Sequence, residues 1–87
     1  MDKPIRFTNH ARERMVLRGA SIGEVIEVIR KGTKREAKRS KLQSQLTFPF
    51  GNISPVNGKW YQNKTVEAVY ADEENAIVIL SVKVYYH

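Results

Sequence analysis

A histidine followed at four-residue intervals by two arginines is the pattern in this chain best suited to chemistry on an anion. Between Thr8 and Gly19, His10, Arg14 and Arg18 recur every four residues. On a helix they fall within about 80° of arc. Histidine titrates near neutrality and can pass protons. Arginine presents a planar fork that fits phosphate in a bidentate manner. Cleavage of RNA through its 2′-hydroxyl needs a base, an acid and positive charge on the phosphorane-like transition state. His10 could act as base or acid, and Arg14 and Arg18 could hold the phosphate. The competing reading is an ordinary helix edge, with His10 bonding locally or packing on a sheet. Arg12 and Glu13 lie round the other side and read as surface.

Three further groups bear on an anionic partner. From Arg30 to Lys41 there are seven basic residues (Arg30, Lys31, Lys34, Arg35, Lys38, Arg39 and Lys41) against one acid, Glu36. Such density favours polyanion binding that weakens steeply with salt, and by itself it does not imply sequence specificity. Trp60 and Tyr61, flanked by Lys59 and Lys64, could stack on unpaired bases or cover a sheet edge. Lys83 and Tyr85 share one face of the last strand, beside the chain end at Tyr86 and His87. No phosphate-binding glycine loop, paired carboxylates or Ser/His/Asp pattern is present.

The elements that position these residues follow from periodicity and caps. Ile5-Arg6-Phe7 reads as a lead-in or a short edge strand. Thr8 or Asn9 caps a first helix that Gly19 ends. Ser21 and Glu24 form a capping box, followed by Ile22, Val25, Ile26 and Ile29 at helical spacing as far as Gly32. Thr33 to Arg39 fits either a strand or a mobile basic loop. Leu42 to Phe48 alternates loosely and stops at Pro49. Gly51 to Gly58 reads as a loop with an Asn57-Gly58 turn. Thr65 to Ala71 alternates, with Val66, Ala68 and Tyr70 on one face. After the Asp72–Asn75 turn, Ala76 to Tyr86 is a long strand. Its Val78, Leu80, Val82, Val84 and Tyr86 are expected against the helices, and Ile77, Ile79, Ser81, Lys83 and Tyr85 on the other side. The expected fold is α+β: two N-terminal helices packed on a small antiparallel sheet of three to four strands.

Bulk properties bound the rest. The 87 residues suit a single domain spanning residues 1–87 with one modest core. The absence of cysteine excludes disulfides and thiolate zinc sites, and two histidines at opposite ends make a poor ligand set, so no metal or cofactor is expected. The N-terminus is polar from Asp2 and Lys3, and Ala76 to Val82 is far shorter than the roughly 20 residues of a membrane helix. A cytoplasmic protein without membrane association follows as an expectation. A net charge of +6 and a pI near 9.8 favour an anionic partner, with RNA or a ribosome ahead of the others. The oligomeric state is not legible.

The run His10-Ala11-Arg12-Glu13-Arg14-Met15, followed by Arg18-Gly19 and ending in the hydrophobic strand Ala76 to Val82, resembles the domain-of-unknown-function 4258 family. That family is similar to the RelE/ParE-like toxins, which pack two N-terminal helices on a small antiparallel sheet. Many of those toxins are ribonucleases that cut messenger RNA on the ribosome and are neutralised by an antitoxin protein; others poison gyrase and cut no RNA. The resemblance implies a toxin-like RNA-binding protein, with metal-independent endoribonuclease activity as one form of it. A non-catalytic nucleic-acid- or protein-binding module and a gyrase poison are the alternatives. By analogy with ribonucleases that use scattered Lys, Arg, Tyr and His residues, His10, Arg14, Lys83 and Tyr85 are the catalytic candidates. Arg18, Lys34, Arg35, Lys38, Arg39, Lys41 and Trp60 are the nucleic-acid-binding candidates. Ala20 in place of the usual isoleucine, the long basic run and an apparent insertion from Leu46 to Lys64 depart from the family pattern.

Overall fold

The computed structural model describes residues 3–87. In chain order the elements are β1 (Ile5–Phe7), α1 (Asn9–Arg18), α2 (Ile22–Lys31), β2 (Thr33–Glu36), β3 (Leu42–Ile53), β4 (Trp60–Asp72) and β5 (Ile77–Tyr86). The strands form one sheet in the order β1-β5-β4-β3-β2. Strands β2 to β5 make an antiparallel meander, and β1 joins its edge parallel to β5. The class is α+β with two helices, as expected, but the sheet is mixed and has five strands rather than three or four antiparallel ones. A tripeptide has no periodicity to read. What makes β1 a strand is a distant partner: Ile77 N–H donates to the Pro4 carbonyl and Thr8 N–H to the Ile79 carbonyl.

The basic stretch resolves into strand Thr33–Glu36 and a tight turn, with Arg39 and Ser40 both left-handed. Of the loop expected from Gly51 to Gly58, the first three residues extend β3, and the turn occupies the remainder from Ser54 on. A bulge between Pro49 and Asn52 lets β3 and β4 stay paired out to Ile53 and Trp60. Proline is tolerated here for a reason that lies across the sheet. Asn63, opposite Pro49, commits its own N–H and C=O to His87. Pro49 therefore sits at a non-hydrogen-bonded position, where its missing donor faces away from β4.

Both helices pack on one face of the sheet. Thr8 caps α1 through its side chain, and Gly19 ends it at φ 80°. The Ser21–Glu24 capping box starts α2. Ala11 and Met15 of α1 and Val25 and Val28 of α2 meet Val66, Ala68, Tyr70, Ile79 and Val82 in one buried cluster, with Leu42, Leu46, Phe48, Ile77 and Val84 around it. A second bulge corrects the expected facing of β5. Val69 pairs with Ser81 but Tyr70 pairs with Ile79, which leaves Leu80 as the extra residue. Beyond the bulge Val82, Val84 and Tyr86 face the helices as alternation predicts. Before it, the two sets exchange, and Ile77 and Ile79 join the core in place of Val78 and Leu80.

The corner between the helices is tied to the sheet by polar contacts. Lys64, only 5% exposed, donates from Nζ to the Gly19 carbonyl at 2.6 Å and pairs with Glu24 at 2.9 Å. The Tyr86 hydroxyl donates to the Arg18 carbonyl at 2.7 Å. These carbonyls are among those that the end of α1 leaves without helical partners.

Candidate functional site

The helices cover one side of the sheet and leave the other bare, and that bare face holds the densest polar constellation. Strict alternation on the three central strands puts Gln43, Gln45 and Thr47 of β3, Thr65 and Glu67 of β4, and Ser81, Lys83 and Tyr85 of β5 on it. Arg35 of β2 is the cross-strand partner of Gln43 and lies on the same side. Thr33, Arg35, Gln43 and Gln45 line a shallow depression of about 70 Å³ there.

Glu67 is the centre of this arrangement. It is 4% exposed, although its face has no helix over it, because neighbouring side chains close around it. The Tyr85 hydroxyl donates to Glu67 Oε1 at 3.2 Å, and the Gln43 amide donates to Oε2. Lys83 is its direct cross-strand partner and Gln45 stands on its other flank. One register step along, the Thr47 and Thr65 hydroxyls share a 2.7 Å hydrogen bond. His87 Nε2 lies 2.8 Å from Thr65 Oγ1. Burial pushes the Tyr85 phenol above its ordinary value of 10.0; the Glu67 charge and its hydrogen bond push the same way, while Arg18 and Arg35 oppose them.

Arg18 reaches this region from the helical side. Its guanidinium donates to the Val82 carbonyl at 2.8 Å, on the edge of β5 that β1 leaves uncovered beyond Ile79. Positive charge thus approaches from both flanks, Arg18 beyond β5 and Arg35 on β2. The basic turn of Lys38, Arg39 and Lys41 extends it at the β2–β3 end. No Asp or Glu occurs between Glu36 and Glu67, so the β3–β4 hairpin carries only cations as far as Val66.

The residues singled out from sequence are dispersed by this fold. Lys83 and Tyr85 stand on the bare face, next to each other and to Glu67. His10, exposed, and Arg14, half-buried, sit on α1, which packs on the opposite face through Ala11 and Met15. The structure therefore does not bring His10 and Arg14 together with Lys83 and Tyr85. Of the nucleic-acid-binding candidates, Arg35 faces the bare side and Lys34 alternates to the other. Lys38, Arg39 and Lys41 belong to the β2–β3 turn, and Trp60 begins β4 at the far hairpin, 60% exposed. Glu67, Gln43, Thr65 and His87 were not among the expected site residues. A lone glutamate inside the otherwise uncharged strand from Thr65 to Ala71 was the available signal. Its neighbours become visible only with the register of β3 and β5.

Among the described residues, no three His, Cys, Asp or Glu side chains converge to hold a metal ion, and no helix is long and apolar enough to cross a membrane. Comparison with curated proteins and with solved structures finds no match to this chain. One family model, described as "Domain of unknown function (DUF4258)", matches residues 7–85. That span holds both helices and all of the sheet from Phe7 to Tyr85, so the chain belongs to the DUF4258 family.

Proposed function

We propose that this chain is a toxin-like RNA-binding protein of RelE/ParE-like type that holds single-stranded RNA across the bare face of its sheet and cleaves it there. The observation that carries the reading is Glu67, a nearly buried carboxylate on an otherwise open polar face, with Lys83 directly across from it. A carboxylate beside a cation, with arginines on two flanks, supplies what attack by the ribose 2′-hydroxyl requires. Glu67 takes the proton of the 2′-hydroxyl as O2′ bonds to phosphorus. The bond from phosphorus to O5′ breaks, and the Lys83 ammonium gives a proton to the departing O5′. The products are a 2′,3′-cyclic phosphate and a 5′-hydroxyl, and solvent restores both groups. Arg35 and Arg18 offset the charge that builds on phosphorus. Tyr85, half exposed, must lift from Glu67 to admit the ribose, and its ring then offers a face on which a base stacks.

A second reading is favoured by the same burial. With Gln43 and Tyr85 closed over Glu67, the carboxylate can be a fixed polar link beneath a purely binding surface. Short unstructured RNA incubated with the purified protein in the presence and absence of chelator separates the two. The first reading expects cyclic-phosphate products under both conditions, lost in Glu67→Gln with RNA affinity retained. His10→Ala should cleave as wild type does, because α1 lies on the other side of the sheet. Binding without cleavage would leave the non-catalytic module, and absence of binding would remove both readings. Controlled expression in a bacterium adds the toxin arm: wild type arrests growth and Glu67→Gln does not.

A further inference from the structure

Of the five asparagines in the chain, Asn57 alone is followed by glycine. It lies exposed in the turn between β3 and β4. Gly58 is left-handed there at φ 73°, and a Cβ built on it would meet nothing within 4 Å. With no side chain beside it, a glycine nitrogen reaches a neighbouring carbonyl carbon more readily than any other amide nitrogen. The side-chain amide of the preceding asparagine offers such a carbon, and attack on it closes a five-membered ring. At Asn9, Asn52, Asn63 and Asn75 the next residue is His10, Ile53, Lys64 or Ala76, each with a Cβ next to the attacking nitrogen. Asn9 also opens α1, and Asn52 and Asn63 are held in paired strands.

The turn grips the Asn57 amide at both of its ends. Oδ1 accepts from the Lys59 N–H at 3.0 Å, and Nδ2 donates to the Tyr61 hydroxyl at 2.9 Å. The first contact lies where negative charge gathers if Cγ becomes tetrahedral, which is the place of an oxyanion donor. The second lies on the nitrogen that would leave. While the amide is planar, Nδ2 has no free lone pair, and the phenol oxygen accepts its hydrogen. Once Cγ is tetrahedral, Nδ2 is an amine, and the same phenol can donate to it. The Tyr61 ring is itself set against Tyr86, with centroids 5.7 Å apart. The bond that must open is the one from Gly58 N–H to the Ser54 carbonyl, at 2.9 Å.

We propose that Asn57 is a self-modification site, which deamidates in the folded protein with the Lys59 N–H and the Tyr61 hydroxyl assisting. The Gly58 nitrogen bonds to Asn57 Cγ, and its proton passes to water. The Cγ–Nδ2 bond then breaks as Tyr61 gives Nδ2 a proton. Ammonia leaves, and solvent returns a proton to the phenol. The cyclic imide that remains takes up one water at either carbonyl, which yields aspartate or isoaspartate at position 57. Either product puts a carboxylate into a hairpin whose charges as far as Val66 are all positive. Isoaspartate also routes the chain through the side-chain carbon. The Ser54–Gly58 and Ser54–Lys59 backbone bonds both span that link, so it loosens the turn that rests through Pro55 on Gly19. The bare sheet face takes no part, so the proposal is independent of the RNA reading.

Purified full-length protein, held at neutral pH and physiological temperature and sampled over weeks, provides the test. Peptide mapping by mass spectrometry should show the mass gain of an amide-to-acid exchange at Asn57, well ahead of the other four asparagines. A synthetic peptide covering Ser54 to Gln62, in which no fold holds Tyr61, is the reference. Tyr61→Phe should slow conversion in the folded protein by about tenfold or more and leave the peptide unchanged. That substitution keeps the ring against Tyr86, and circular dichroism verifies the fold. Gly58→Ala should slow conversion in protein and peptide alike, because its methyl group stands beside the attacking nitrogen. Asn57 still intact in the protein after the peptide has converted would overturn the proposal. So would a Tyr61→Phe protein that converts as fast as wild type or faster, since the phenol would then only restrain the amide. Conversion that ignores Gly58→Ala would show that the Gly58 nitrogen is not the nucleophile, and would overturn it as well.

Discussion

Glu67 and Tyr85 constrain each other at the level of single groups. The two hydrogen-bond donors that Glu67 has been given, the Gln43 amide and the Tyr85 phenol, are both neutral. A carboxylate so placed makes any negative charge beside it costly, which is why Tyr85 resists ionisation beyond what its burial imposes. A raised phenol value means that the folded state holds its proton more tightly than the unfolded chain does. The corresponding stability is fully present below about pH 10 and is lost as pH rises through the folded-state value. Tyr86 behaves likewise: burial raises it first and the Glu24 charge second. Glu67→Gln removes the charge but keeps the shape. Spectrophotometric titration at alkaline pH should then show the Tyr85 transition moving down toward its ordinary value without reaching it, because burial remains. Tyr85→Phe identifies which transition belongs to that ring. An unmoved transition in Glu67→Gln would mean that the two groups are not in contact in solution.

Two glycines that are similar in the sequence hold separate element junctions for different reasons, and a third provides the contrast. Gly19 is left-handed, and a Cβ there would also lie 2.6 Å from the Tyr86 hydroxyl. Gly32 has an ordinary φ of −72°, but a Cβ would lie 2.7 Å from the Gln45 carbonyl oxygen, where α2 passes into β2. Gly23 sits in the first turn of α2 with open space around it. Gly19→Ala should cost about 2 kcal/mol or more from backbone strain and the clash together. Gly32→Ala should cost about 1–3 kcal/mol from the clash alone. Gly23→Ala should gain up to about 1 kcal/mol in helix propensity. Thermal unfolding checks all three, at about 4–8 °C per kcal/mol for a domain of this size. The same junctions show what the sequence could disclose. Both helices and their caps were legible because Thr8, Ser21, Glu24 and Gly19 act within a few residues of themselves. The strands Thr65–Ala71 and Ala76–Tyr86 were legible from alternation. The bulge at Leu80, the pairing of β1 and the strand beyond Pro49 were not, since each depends on a partner many residues away. The site suffered the same loss: Lys83 and Tyr85 were found on their own strand, whereas Glu67 gains its meaning only from β3 and β5 beside it.

Across the whole molecule the densest run of cations lies on β2 and the turn that follows it, and salt is the variable that reads its role. Lys34, Arg35, Lys38 and Arg39 occupy β2 and its turn, at one end of the long axis, with Glu36 the one acid among them and no other before Glu67. If RNA lies along the bare face and ends on the basic turn, its phosphates release counterions as these residues neutralise them. The logarithm of the binding constant then falls linearly with the logarithm of salt, with a slope of about −0.7 per phosphate contacted on a single strand. Replacing Lys34, Arg35, Lys38 and Arg39 together by serine should flatten that slope by up to about 3 units if all four make contact. Because Lys34 alternates away from the face that carries Arg35, about 2 units is the sharper expectation for a strand confined to the bare side. The fluorescence anisotropy of a labelled oligouridylate, titrated at several salt concentrations, measures both slopes. His10→Ala with Arg14→Ala serves as the counterpart on the opposite side of the sheet. It should leave the slope within error of wild type, and a slope that drops there as well would place the RNA on the helices instead.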